Sequence, residues 1–94
     1  MFMRVVRFTD VDAGRLQDLL ARIDESGGPP PGVPATGLQV LLDNDQGTAV
    51  VLQQFDSAED MAAAEEAFDS MDASETPGTR ASVDRTELKK EMRA

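Results

Sequence analysis

Residues 26–37 read SGGPPPGVPATG and hold four of the chain's five prolines and four of its seven glycines. Proline fixes φ and lacks a backbone donor, so this stretch neither continues a helix nor joins the middle of a sheet. It is a long loop that splits the 94 residues into a short leading piece and a longer trailing one. Segments of this kind act either as lids over a site or as plain connections, and the plain connection is the reading taken here.

The leading piece has room for two elements. Phe2 to Thr9 (FMRVVRFT) is rich in β-branched and aromatic residues and is followed by the breakers Asp10 and Asp12, which predicts a strand. From Ala13 to Glu25, Leu16, Leu19, Leu20 and Ile23 recur at the spacing of one helix face, with Asp12 as N-cap.

In the trailing piece, positions 38–55 (LQVLLDNDQGTAVVLQQF) read as two strands around a turn of Asp, Asn and Gly types. Setting Leu42 opposite Thr48 gathers Leu38, Val40, Leu42, Val50 and Leu52 on one side. Gln39, Leu41, Ala49, Val51, Gln53 and Phe55 then share the other side, a mixture suited to a cavity or a subunit contact rather than to water alone.

Ser57 with Asp60 resembles a capping box for a helix running to about Met71, with Met61, Ala64, Phe68 and Met71 as its apolar stripe and an acidic remainder that reads as a solvated face. Asp72 to Gly78 breaks it. Positions 80–88 predict a last strand with Ala81 and Val83 on one face and Ser82, Asp84 and Thr86 on the other, and residues 89–94 form a charged tail.

The expected fold is therefore α+β: one domain over 1–94, ordered β-α-β-β-α-β as in ferredoxin-like sandwiches, with two helices on one face of a four-stranded antiparallel sheet. That order leaves one sheet face bare. If the mixed face is the bare one, two copies close face to face as a homodimer.

The run DNDQGTAVVLQQFDSAEDMAAAEEAF (43–68), followed by TPGTRASVDRTEL (76–88) and preceded by RVVRFTDVDAGRLQDLL (4–20), resembles the antibiotic-biosynthesis-monooxygenase-like proteins of the dimeric α/β-barrel superfamily. The resemblance implies a ferredoxin-like protomer that dimerises into an α/β barrel. It also implies a relation to cofactor-independent oxygenases of polycyclic aromatics and to haem-degrading enzymes. The histidine and tryptophan that haem-degrading members use have no counterpart, since the chain has neither residue, and Asn44 lies in the turn. Phe55 occupies the position before the second helix that is commonly Trp in relatives, an aromatic slot without an indole donor.

Composition narrows the chemistry further. Without His, Cys or Tyr, the usual near-neutral base, thiolate and phenol are missing, and catalytic triads and imidazole metal sites are excluded. Neither a cofactor nor a metal is expected. DNDQG (43–47) echoes a calcium loop, but its glycine falls one place early and Gln54 stands where the bidentate Glu belongs, so a hairpin turn is the reading. A formal charge of −9 opposes binding to nucleic acid. No apolar run is long enough for a signal core or a membrane span, and the lack of cysteine suits a reducing cytoplasm.

The candidate ligand-binding residues are Arg4, Phe8, Gln39, Val51, Gln53, Phe55 and Asp84. Arg4 shares a face with Phe2, Val6 and Phe8, and Arg7 with Met3 and Val5. Because its neighbours are the larger apolar groups, Arg4 is expected to be the arginine that points away from the helices into the cavity. An Arg4–Asp84 pair is then conceivable, more often a structural salt bridge than an anion site. Gln53 joins Gln39, either to orient a ligand carbonyl or hydroxyl or, more commonly for buried amides, to satisfy structure.

Two functions are open at this point. One is a dimeric α/β barrel that binds a small apolar or aromatic compound without catalysis, between sheet and helices or at the dimer centre. The alternative is a cofactor-independent monooxygenase of an electron-rich aromatic substrate. A regulatory or protein-interaction role is a third class.

Overall fold

The computed structural model describes residues 1–27, 33–69 and 76–93. The centre of the proline-rich segment, the expected helix end at Met71 and most of the breaker after it lie outside them. The elements are β1 (Phe2–Thr9), α1 (Ala13–Ser26), β2 (Gly37–Asp43), β3 (Thr48–Phe55), α2 (Ala58–Asp69) and β4 (Thr79–Glu87). Among the described residues the strands form one open antiparallel sheet in the order β2-β3-β1-β4. This is an α+β architecture compatible with a ferredoxin-like sandwich.

Local signals set the helix ends. The Asp12 side chain accepts the Arg15 N–H at 3.0 Å, and the Ser57 hydroxyl accepts the Asp60 N–H at 3.1 Å, so both N-caps satisfy donors the first turn leaves open. Helix α1 stops where Gly27 adopts φ 68° and returns its N–H to the Ile23 carbonyl, a left-handed conformation that a Cβ disfavours. Its start is stapled on both sides: Val11 N–H donates to Gly47 O at 3.0 Å and Asp12 N–H to Pro77 O at 2.9 Å.

The hairpin register differs by one residue from the expectation. Asp43 pairs with Thr48, Leu42 with Ala49, Val40 with Val51 and Leu38 with Gln53. The Asp43 carboxylate accepts the N–H groups of Asp45 and Gln46 at 3.1 and 3.2 Å and the Gln46 amide at 2.8 Å. These bonds pin a four-residue turn, so Asp43 joins the ladder and not the loop. A one-residue slip changes which sides face together. Leu38, Val40 and Leu42 therefore align with Gln53, Val51 and Ala49, and the expected grouping with Val50 and Leu52 is corrected.

Both helices lie over the face that carries Arg4, Val6, Phe8, Val51 and Gln53. Val6, Phe8, Ala49 and Val51 form one buried cluster, flanked by Val11, Leu38, Val40 and Val83. Phe55, Met61 and Ala64 form a second, beneath α2, flanked by Phe2 and Phe68. The bare face holds Met3, Val5, Arg7, Leu41, Val50, Leu52 and Asp84 instead. On β1 and β3 the face expected to be bare is thus the covered one, because the sheet side with more aromatic bulk is the side the helices bury, whereas Gln39 and Leu41 of β2 do lie on the bare face. On β4 a bulge opposite Arg7 and Phe8 leaves Ala81 without a pairing partner, while Val83 stays on the covered face opposite Val6.

Candidate functional site

Helix α2 packs directly on β1 and β3, whereas the backbone of α1 stays farther from the strands. Between α1 and the sheet lies a cavity of about 530 Å³, within the roughly 300–1,000 Å³ of small-molecule sites. Its apolar wall comes from Val6, Phe8, Val40 and Val51 of the sheet and from Leu19 and Ile23 of α1. The α1 stripe read from the sequence thus faces a space more than it faces side chains.

Arg4 and Gln53 supply the polar spot in this wall. They are paired across β1 and β3 and are 2% and 5% exposed. The Arg4 Nη1 donates to Gln53 Oε1 at 3.2 Å, which fixes the amide orientation and leaves the Gln53 NH2 as a donor. The guanidinium carbon sits 4.9 Å from the centroid of the Phe68 ring, a cation–π arrangement. The Arg4 Nε is buried and has no hydrogen-bond partner.

The nearest carboxylate is Glu65 on α2, with Oε1 3.9 Å from Arg4 Nε. That carboxylate is already held by Arg85, whose Nε donates to Glu65 Oε2 at 2.8 Å and whose Nη2 contacts Oε1. Hydrogen bonding to Arg85 is the main reason the Glu65 pKa lies below the usual glutamate value, against the opposing effect of burial. Burial lowers the Arg4 pKa from its ordinary value, and the charge of Glu65 partly offsets this. Arginine nonetheless stays a cation.

The rim completes the site. Arg15 of α1 donates through Nε to the Thr76 carbonyl at 2.8 Å and through Nη2 to the Thr76 hydroxyl at 3.0 Å, and that hydroxyl donates to Gly78 O at 2.8 Å. Arg80 Nη1 lies 3.7 Å from Asp69 Oδ1. Gly78 is needed here because a Cβ would sit 2.5 Å from the Thr9 carbonyl oxygen.

Of the seven sequence candidates, Arg4, Phe8, Val51 and Gln53 line the cavity together. Phe55 is fully buried in the core under α2 and is not part of the wall. Gln39 and Asp84 are exposed on the bare face, where Asp84 pairs with Val5, so an Arg4–Asp84 contact does not form. Arg4 does face a cavity, but the cavity lies under the helices, and Arg7 is the arginine that points away from them. Sequence reasoning missed Leu19 and Ile23 as wall residues, along with the rim of Arg15, Thr76 and Arg80. The α1 stripe is legible as one helix face, but nothing in the sequence distinguishes a stripe that packs from one that overhangs a space.

Comparison with family models, with curated proteins and with solved structures found no match. The resemblance to antibiotic-biosynthesis-monooxygenase-like proteins therefore has no support from relatives, and the agreement is at the level of the α+β architecture. Among the described residues no group of three or more Asp and Glu is placed to hold a metal ion, and no helix is long and apolar enough to cross a membrane.

Proposed function

We propose that this protein binds a small, mostly apolar organic compound between α1 and the sheet, without catalysing its conversion. The single observation that carries the reading is the cavity: about 530 Å³ walled by Val6, Phe8, Leu19, Ile23, Val40 and Val51, with Arg4 and Gln53 as its polar handles. Apolar walls with a few converging polar groups are the usual form of a ligand site. The chain also has no His, Cys or Tyr to act on a bound molecule. Native mass spectrometry against a panel of aromatic compounds tests the binding. A one-to-one adduct per chain is expected, and no adduct with any compound would leave a purely structural domain. The cofactor-independent monooxygenase alternative is separated by oxygen uptake with hydroxylated polycyclic substrates, which a binding protein leaves at the background rate.

The bare sheet face suits a homodimer in the manner of a ferredoxin-like protomer closing into an α/β barrel. Met3, Val5, Val50 and Leu52 are only half-buried there, and Leu41 is 51% exposed. Arg7 and Asp84 are exposed on the same face of neighbouring strands, and an interface made from one patch twice needs such opposite charges together. Sedimentation of the wild-type chain as a dimer, and of Leu41→Lys as a weaker one, is the expected result. A monomer at micromolar concentration removes the dimer and leaves the cavity reading intact. Small-molecule binding of this kind suits the cytoplasm and requires neither nucleic acid nor a membrane.

A further inference from the structure

The cavity has a charge opposite to that of the molecule. The chain carries a formal −9, yet among the described residues the ionisable groups in the cavity wall and rim are three arginines, Arg4, Arg15 and Arg80, against the carboxylate of Asp69. Glu65, just behind Arg4, does not restore the balance, because it is shared with Arg85. Arg4 is the cation with the greatest need of a partner. It is 2% exposed, its Nε makes no hydrogen bond, and among the described residues its hydrogen bond, from Nη1, goes to the neutral Gln53. A buried polar donor left unmatched is destabilising, more so when it is charged.

The polar spot is also rich in donors. With Oε1 of Gln53 occupied by Arg4, that amide has its NH2 to offer, and the guanidinium can only donate. A ligand that completes this spot must bring acceptors, and a buried guanidinium matches best a planar pair of oxygens that carry the compensating charge. The remainder of the wall is aliphatic and aromatic, so the rest of the ligand is apolar.

We infer that the physiological ligand is an apolar carboxylic acid whose carboxylate is held by Arg4 and the Gln53 amide while its hydrocarbon or aromatic body fills the space between Leu19, Ile23, Val40 and Val51. The inference rests on the cavity being a ligand site and adds the chemical class of what enters it. Glu65 fits this arrangement, since its hydrogen bond and ion pair with Arg85 let it remain in place when the incoming carboxylate takes over Arg4.

Calorimetric titration with 2-naphthoate and with its neutral isostere 2-naphthamide tests the inference on the whole chain. The carboxylate is expected to bind at least about tenfold more tightly, the scale of a charge-assisted hydrogen bond. Arg4→Met is expected to erase that preference, lowering the carboxylate's affinity more than the amide's. Should Arg4→Met not fold, Gln53→Leu is expected to narrow the preference, and the wild-type pair decides the sign by itself. Equal binding of both compounds, or a preference for the amide, overturns the carboxylate and keeps the apolar site. A preference for naphthoate that survives both substitutions overturns the assignment to Arg4 and Gln53. Binding of neither compound at millimolar concentration overturns the site along with the inference.

Discussion

Under α2, Phe55, Met61 and Ala64 are buried against one another, with Phe2 and Phe68 closing the edges. Under α1, Leu19 and Ile23 look across a cavity toward Val40 and Val51. Both helices cover the same sheet face, and both begin with a well-formed N-cap. What differs is what the apolar side of each meets. The α2 side has a phenylalanine reaching up from the end of β3 and an alanine that lets the helix settle on it. The α1 side is held at its start, tied to the hairpin turn, to Pro77 and, through Arg15, to Thr76. One half of the interior is filled by the protein, and the other is left for something else to fill.

The largest expected effect lies in the filled half. Phe55→Ala should cost about 3–5 kcal/mol of unfolding free energy in urea, because a fully buried ring leaves a void that its neighbours cannot close. Leu19→Ala should cost less than about 1 kcal/mol, since the side chain removed already borders open space. Similar losses for the two would break the distinction between the halves.

Adding atoms should give the opposite ranking. Ala64 is fully buried, and Ala64→Leu is expected to destabilise by about 1–3 kcal/mol through overpacking. Ile23→Phe has room to turn inward and should change stability by no more than about 0.5 kcal/mol. The same substitution should weaken aromatic ligand binding in a titration by occupying the site, which sharpens the assignment of the space to a ligand.

A smaller effect concerns the charges where the halves meet. The Glu65 pKa lies below that of an unfolded glutamate, chiefly through its hydrogen bond to Arg85. A depressed folded-state value means stability that is present above the ordinary glutamate pKa of about 4.3 and is lost as pH falls through the lower, folded value. Glu65→Gln should therefore flatten the acid limb of a stability-versus-pH curve and leave its shape near neutrality unaltered. An acid limb identical to wild type would show that Glu65 is not held by Arg85 in solution.

Much of this architecture is legible in the sequence. The strand Phe2–Thr9 is read with its observed ends, the caps at Asp12 and Ser57 act as expected, and the sides of β1, and of β4 from Ser82 onward, are divided correctly, because period and capping are local properties of a few residues. The sheet face under the helices is not legible to the same degree. It depends on whether Asp43 belongs to the ladder or the loop, and that is decided by side-chain bonds to Asp45 and Gln46 that composition does not distinguish. The parity of one turn residue reassigned Val51 and Gln53 from the bare face to the interior. The cavity escapes the sequence for another reason: an amphipathic helix shows which side is apolar, but not the distance at which loops and staples hold that side from the sheet. Arg4 is expected to point away from the helices into a cavity; it lines a cavity, but on the helical side.

Chemical-shift mapping of the labelled chain with 2-naphthoate tests the central claim most directly. The account predicts perturbations concentrated at Arg4, Leu19, Ile23, Val40, Val51 and Gln53, with Met3, Leu41 and Leu52 on the opposite side of the sheet unmoved. Shifts centred on Met3, Leu41 and Leu52, or no saturable shifts at all, would contradict it.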